Sequence, residues 1–123
     1  VGCVFCKIAK GEIKSQQIYD SDTVIAIMDI NAVSEGHVLV IPKEHSSDIF
    51  DIAPELLRKS TQVAQEVAQK MKAEQGINSV NLLNCSGKES GQSVYHFHLH
   101  MIPRREGDTE AVVPKIDSLL KPK

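Results

Sequence analysis

The run Ser93–Pro103, SVYHFHLHMIP, carries His96, His98 and His100 at alternate positions, so three of the chain's five histidines fall in one mostly apolar stretch. A neutral imidazole offers one N–H donor and one lone pair, so a row of them can bind a metal, hold phosphate oxygens or attack phosphorus. In an extended chain these three would share one face, with Tyr95, Phe97, Leu99 and Met101 on the other. A rise of ~3.3 Å per residue separates neighbouring histidines by ~6.6 Å and the outer two by ~13 Å, too far for all three to converge on one ion from a straight strand. Two of them can share a metal, whereas a merely solvated polar face fits poorly with so apolar a run. The other reading is a nucleophile flanked by donors and acid–base groups, an arrangement suited to phosphorus chemistry.

Further groups with chemical potential lie elsewhere. Cys3-x-x-Cys6 supplies two thiols. A tetrahedral zinc site would need two more ligands, and a redox pair or two buried thiols would show the same spacing, although the redox reading lacks a βαβ pattern around it. Cys85 is a lone thiol. Asp29 ends an apolar run; its two carboxylate oxygens can accept hydrogen bonds, or it can form a turn before Asn31. A phosphate-binding P-loop is excluded around Gly87-Lys88, because Leu82 stands where Gly is required and Glu89 where Ser or Thr is required.

These residues need elements to hold them. Thr23–Asp29 (TVIAIMD) and His37–Pro42 (HVLVIP) read as strands, and NAVSEG between them supplies hairpin turn residues. Leu56, Val63, Val67 and Met71 recur at helical spacing between Pro54 and Glu74, with Gly76 just past the end. A shorter helix is expected over Cys6–Gly11. Ser79–Asn84 (SVNLLN) is a further strand, CSGKESG a loop, and the histidine run a strand that ends at Pro103. The fold class is α+β: an antiparallel sheet of about five strands with one long and one short helix.

A chain of 123 residues allows one compact domain. Its 24% charged residues and net charge of −2 provide no basic excess to drive binding to long nucleic acids. No apolar run approaches the ~20 residues of a membrane span, and VGCVFCKIAKGEIK lacks a secretory apolar core, so a cytoplasmic protein is expected.

Together CVFCKIAKGEI, MDINAVSEGHVLVIPKEH and GQSVYHFHLHMIPR, centred on HFHLHMI, resemble the histidine triad (HIT) superfamily from Cys3 to Arg104. The resemblance implies a HIT domain over 1–105, with 106–123 as its C-terminal tail. It implies an enzyme in which His98 attacks the phosphorus of a purine nucleoside phosphoramidate or related adenylate, and water then releases the nucleotide. A dinucleoside polyphosphate hydrolase, or a nucleotide-binding scaffold with little turnover, is the alternative. By the same likeness His100 would bind phosphate oxygens or serve the leaving group, His37 would orient the triad, and Ser93 would donate to the leaving atom. Gly91, Gln92 and Ser93 would contact the phosphate, and Asn84 the phosphate or ribose. Asp29 would hold the ribose, and Val4, Phe5, Ile8, Ile27 and Ile30 would line a purine slot. Some bacterial members carry zinc, and the likeness assigns Cys3, Cys6, His45 and His96 as ligands of a structural ion. A homodimer with joined sheets is also implied. The chain departs from the family in NAVSEGH, which lacks a proline often found there, and in the tail GDTEAVVPKIDSLLKPK.

Overall fold

Residues 3–108 are described by the computed structural model; the rest of the tail, 109–123, lies outside them. Five strands, β1 (Gln17–Asp20), β2 (Val24–Met28), β3 (Val38–Pro42), β4 (Ser79–Leu83) and β5 (Leu99–Arg104), form one antiparallel sheet in the order β1-β2-β3-β5-β4. Helix α1 (Val4–Ala9) lies on one face and α2 (Pro54–Gln75) on the other. The α+β expectation holds, as does the β2–β3 hairpin.

The two faces follow from register. Val24 and Ala26 of β2, Val38 and Val40 of β3, and Leu99 and Met101 of β5 point toward α2, where Leu56, Val63, Val67 and Met71 meet them. The alternate residues Ile25, Ile27, Leu39 and Ile41 point the other way and are covered by Phe5 and Ile8 of α1. Strands buried on both faces read as continuous apolar runs, as VIAIM and VLVIP do. Pro54 opens α2 in its first turn, and the amide of Gly76 closes it on the carbonyl of Lys72. Among the described residues no helix is long and apolar enough to cross a membrane.

Three expectations are corrected. The short helix starts at Val4, earlier than Cys6, because Cys3 caps it: the Cys3 Sγ accepts the Cys6 amide at 3.3 Å. Strand β1 adds a fifth strand to the four read above, being only four residues long, mostly exposed and at an edge. The histidine run becomes a strand only at Leu99. Ahead of it the backbone is engaged elsewhere: the Phe97 amide donates to the Ser46 carbonyl at 2.7 Å, and the Asn84 side-chain amide donates to the His98 carbonyl at 2.9 Å. Pro42 stands opposite in β3 and has no N–H to continue a ladder. The alternation of faces survives this break. Phe97 packs with Leu99 and Met101 on the α2 side, while His96 and His98 lie against Phe5 of α1.

Candidate active site and metal centre

Each ring in the row is oriented by a neighbour whose hydrogen-bonding role is fixed. A backbone carbonyl can only accept, so the 2.7 Å contact between His98 Nδ1 and the His96 carbonyl places the proton on Nδ1. That leaves His98 Nε2 with a bare lone pair. A backbone amide can only donate, so the 3.0 Å contact from Val33 N–H to His37 Nδ1 leaves that nitrogen bare and puts the proton on Nε2. His37 Nε2 lies 2.9 Å from His100 Nδ1, which must therefore accept, and His100 carries its own proton on Nε2. The result is one nucleophilic nitrogen on His98 beside one N–H donor on His100, with ring centroids 5.0 Å apart.

Burial keeps these rings neutral. It lowers the pKa of His37 and of His98, and pulls His100 down to about 4, with the nearby His98 and His37 acting in the same direction. Asp29 is the opposing charge on all three. Its Oδ2 lies 3.4 Å from His37 Nε2, and its Oδ1 accepts the Asn31 amide at 2.9 Å. Asp29, His37 and His100 would pass for a metal-binding triplet by proximity. The Val33 amide argues otherwise, because it forces a proton onto the His37 nitrogen that would have to ligate.

His96 carries its proton on Nε2, opposite to His98, and uses that tautomer for another purpose. Its Nε2 donates to the Pro42 carbonyl at 2.7 Å, which turns a bare Nδ1 toward Cys3 Sγ at 3.2 Å, Cys6 Sγ at 3.5 Å and His45 Nδ1 at 3.2 Å. Cys6 Sγ lies 3.4 Å from His45 Nδ1. Tetrahedral zinc with ordinary bond lengths sets its ligand nitrogens ~3.3 Å apart and its nitrogens and sulfurs ~3.6 Å apart. Cys3, Cys6, His45 and His96 therefore fit a four-coordinate zinc, with the Pro42 carbonyl as the outer partner that fixes a ligating imidazole.

A family model, the HIT domain, matches residues 10–107, a span that holds all five histidines. The chain belongs to the HIT family. A HIT family protein from Bacillus anthracis, known from a crystal structure, is 44% identical and superposes with a TM-score of 0.83 over 89% of this chain and 77% of its own. A Zn-bound histidine triad family protein from Mycobacterium smegmatis is 32% identical, with a TM-score of 0.84 over 96% of this chain and 93% of its own. Among curated proteins, adenosine 5′-monophosphoramidase from Saccharomyces cerevisiae is 37% identical over 90% of this chain and 68% of its own length.

The remaining candidates of this HIT chain divide by position. Phe5, Ile8 and Ile27 come together in the apolar cluster beneath α1. Val4 is exposed, and Ile30 lies outside the cluster, 94% exposed beside Asp29. Gln92 is buried and spends its side chain on the protein: Oε1 accepts the Gly87 amide at 2.7 Å, and Nε2 donates to the carbonyls of Ser47 at 2.7 Å and Val94 at 3.1 Å. Asn84 Oδ1 accepts from the Ser86 hydroxyl at 2.6 Å while its amide holds His98. Gly91 turns the loop at φ 97°, in the left-handed region that favours glycine, and brings the exposed Ser93 to the start of the histidine run. Cys85 is buried, and burial pushes its thiol pKa up, away from reactivity. Sequence reasoning missed Val33, Pro42, Ser46 and Ser47, which act through backbone atoms common to almost every residue type.

Proposed function

We propose that this protein hydrolyses purine nucleoside phosphoramidates or related adenylates through a covalent intermediate on His98. The observation that carries the reading is the bond from His98 Nδ1–H to the His96 carbonyl, which presents Nε2 as a neutral nucleophile beside the His100 donor. The Nε2 lone pair forms the N–P bond as the bond from phosphorus to the leaving nitrogen breaks, and that nitrogen keeps the electron pair and takes up a proton from solvent relayed by the Ser93 hydroxyl. Water then attacks phosphorus and loses a proton to solvent, the N–P bond breaks with its electrons returning to Nε2, and the nucleotide departs. His100 Nε2–H holds phosphoryl oxygens through both steps, and Ser93 donates to the leaving atom. Asp29 takes the ribose hydroxyls, with Ile27, Ile8 and Phe5 on the base side and Ile30 at the rim. Asn84 and the Gly91-Gln92-Ser93 turn shape the phosphate side.

Zinc held by Cys3, Cys6, His45 and His96 would cross-link α1 to the histidine segment, a structural task that leaves no ligand position open to water. The domain spans 1–105 with the tail appended, and it works in the cytoplasm as a homodimer joined along a sheet edge. Supporting the dimer, β4 is an edge strand with Leu82 56% exposed. Rapid quench with labelled adenosine phosphoramidate tests the function. A nucleotidyl adduct on His98 that turns over to AMP is expected, whereas tight binding with no adduct and no release would make the protein a nucleotide-binding module.

A further inference from the structure

The proposed function gives Asp29 to the ribose, yet the fold also ties this carboxylate to the histidines. The Asp29 amide donates to the His37 carbonyl at 2.9 Å, so the hairpin end clamps the two residues together. Oδ1 is pinned by the Asn31 amide at 2.9 Å, and Oδ2 faces His37 Nε2 at 3.4 Å. The Val33 amide puts the proton of His37 on that same Nε2, which lies 2.9 Å from His100 Nδ1. One hydrogen therefore has two acceptors in reach, a carboxylate that is 14% exposed and the neighbouring imidazole.

We infer that Asp29 couples ribose recognition to phosphoryl stabilisation, by competing with His100 for the Nε2 hydrogen of His37 until ribose hydroxyls occupy its oxygens. This rests on the nucleotide reading above. Hydrogen bonds in a chain polarise one another, so a His100 that accepts more fully from His37 donates more strongly from Nε2 to the phosphoryl oxygens. With the carboxylate engaged by sugar, its pull on the shared hydrogen weakens and the chain from His37 through His100 strengthens. The sugar hydroxyls then contribute to the chemical step as well as to binding. A carboxylate that only held the ribose would act on binding alone.

Imidazole 15N spectra of the full chain, recorded with adenosine and with 2′,3′-dideoxyadenosine, test the coupling without any phosphate. Adenosine should shift the His37 and His100 nitrogens, dideoxyadenosine should bind without doing so, and Asp29→Asn should remove the difference. Binding of both nucleosides with the same imidazole response overturns this inference alone. Binding of neither overturns it together with the nucleotide reading. With phosphoramidate substrates, kcat for the ribo form should exceed that for the dideoxy form by about tenfold in the unaltered protein, and the ratio should fall toward one in Asp29→Asn. Loss of the negative charge acts on both substrates alike and cancels from that ratio; a difference confined to KM would sink the proposal.

Discussion

The ring of Phe5 stands edge-on to His98, with centroids 5.0 Å apart and planes 86° apart, and it also meets His96 at 5.9 Å. Phe5 lies between Cys3, the cap of α1, and Cys6, so the helix that carries two of the proposed zinc ligands also seals one side of the proposed nucleophile. Truncation to Ala should destabilise the fold by about 3 kcal/mol through lost apolar burial and a cavity. It should also lower kcat more than it raises KM, because the His98 ring loses its wall. Phe5→Leu, which refills most of the volume, should recover stability further than it recovers kcat. Denaturant unfolding and steady-state kinetics on the two variants check this, and equal recovery of both quantities would reduce Phe5 to ordinary core.

Removal of the proposed zinc acts on the same helix. A ligand present at about a hundred times its dissociation constant stabilises by ~2.7 kcal/mol, which for a domain of this size corresponds to a Tm shift on the order of 10 °C. Chelation should lower Tm by that order, and Cys6→Ser should show the lower Tm with no further response to chelator. Hydrolysis should fall but persist, since the proposed steps run through His98 and His100. Metal content measured beside Tm checks the assignment, and a stoichiometric metal still bound in Cys6→Ser would refute the ligand set.

What could be read from the sequence followed side-chain type and period. The apolar runs of β2 and β3 and the helical spacing of α2 announced themselves, and so did the alternation that sends Phe97 to one layer and His98 to the other. The four-residue, mostly exposed β1 carries no such signal, and neither do the contacts that set the tautomers. Val33 donates and Pro42 accepts through atoms common to almost every residue, so no residue type could have marked them. The break in the histidine strand depends on Asn84 and Ser46, which are distant in the chain and meet it only after folding. That break also removes the difficulty of three imidazoles on a straight strand, because His96 turns back to the cysteines while His98 and His100 stay together.

Gln92 separates recognition from support. Its side chain reaches Gly87, Ser47 and Val94, joining the loop before Ser93 to the segment that follows His45. Gln92→Ala should cost about 2–3 kcal/mol, since it leaves buried partners without their bonds. Nucleotide affinity should fall with it, through disorder of the Gly91–Ser93 turn. Gln92→Glu keeps the acceptor for Gly87 but cannot donate to the two carbonyls, so it should be no more stable than the alanine variant. Urea unfolding of both variants distinguishes this from a direct nucleotide contact, for which stability would be unchanged while affinity fell.

Protonation of the His37–His100 pair supplies the last expectation. Burial holds His100 near a pKa of about 4, against about 6.5 in an unfolded chain. Between those values the unfolded state binds a proton that the folded state refuses, so stability rises with pH across that window and levels off above it. The refusal has a structural cause. A second proton on His100 would go to Nδ1, the nitrogen that accepts from His37, while the Val33 amide keeps His37 from reversing its own tautomer. Burial lowers the pKa of His37 as well, and the same sign applies to it. On going from pH 7 to about pH 4.5, the unaltered protein should lose about 2 kcal/mol relative to His100→Asn, a comparison in which contributions from the metal site cancel. Urea midpoints of the two proteins across that range measure the difference, and a flat difference would mean that His100 accepts a proton in the folded state as readily as it does in water.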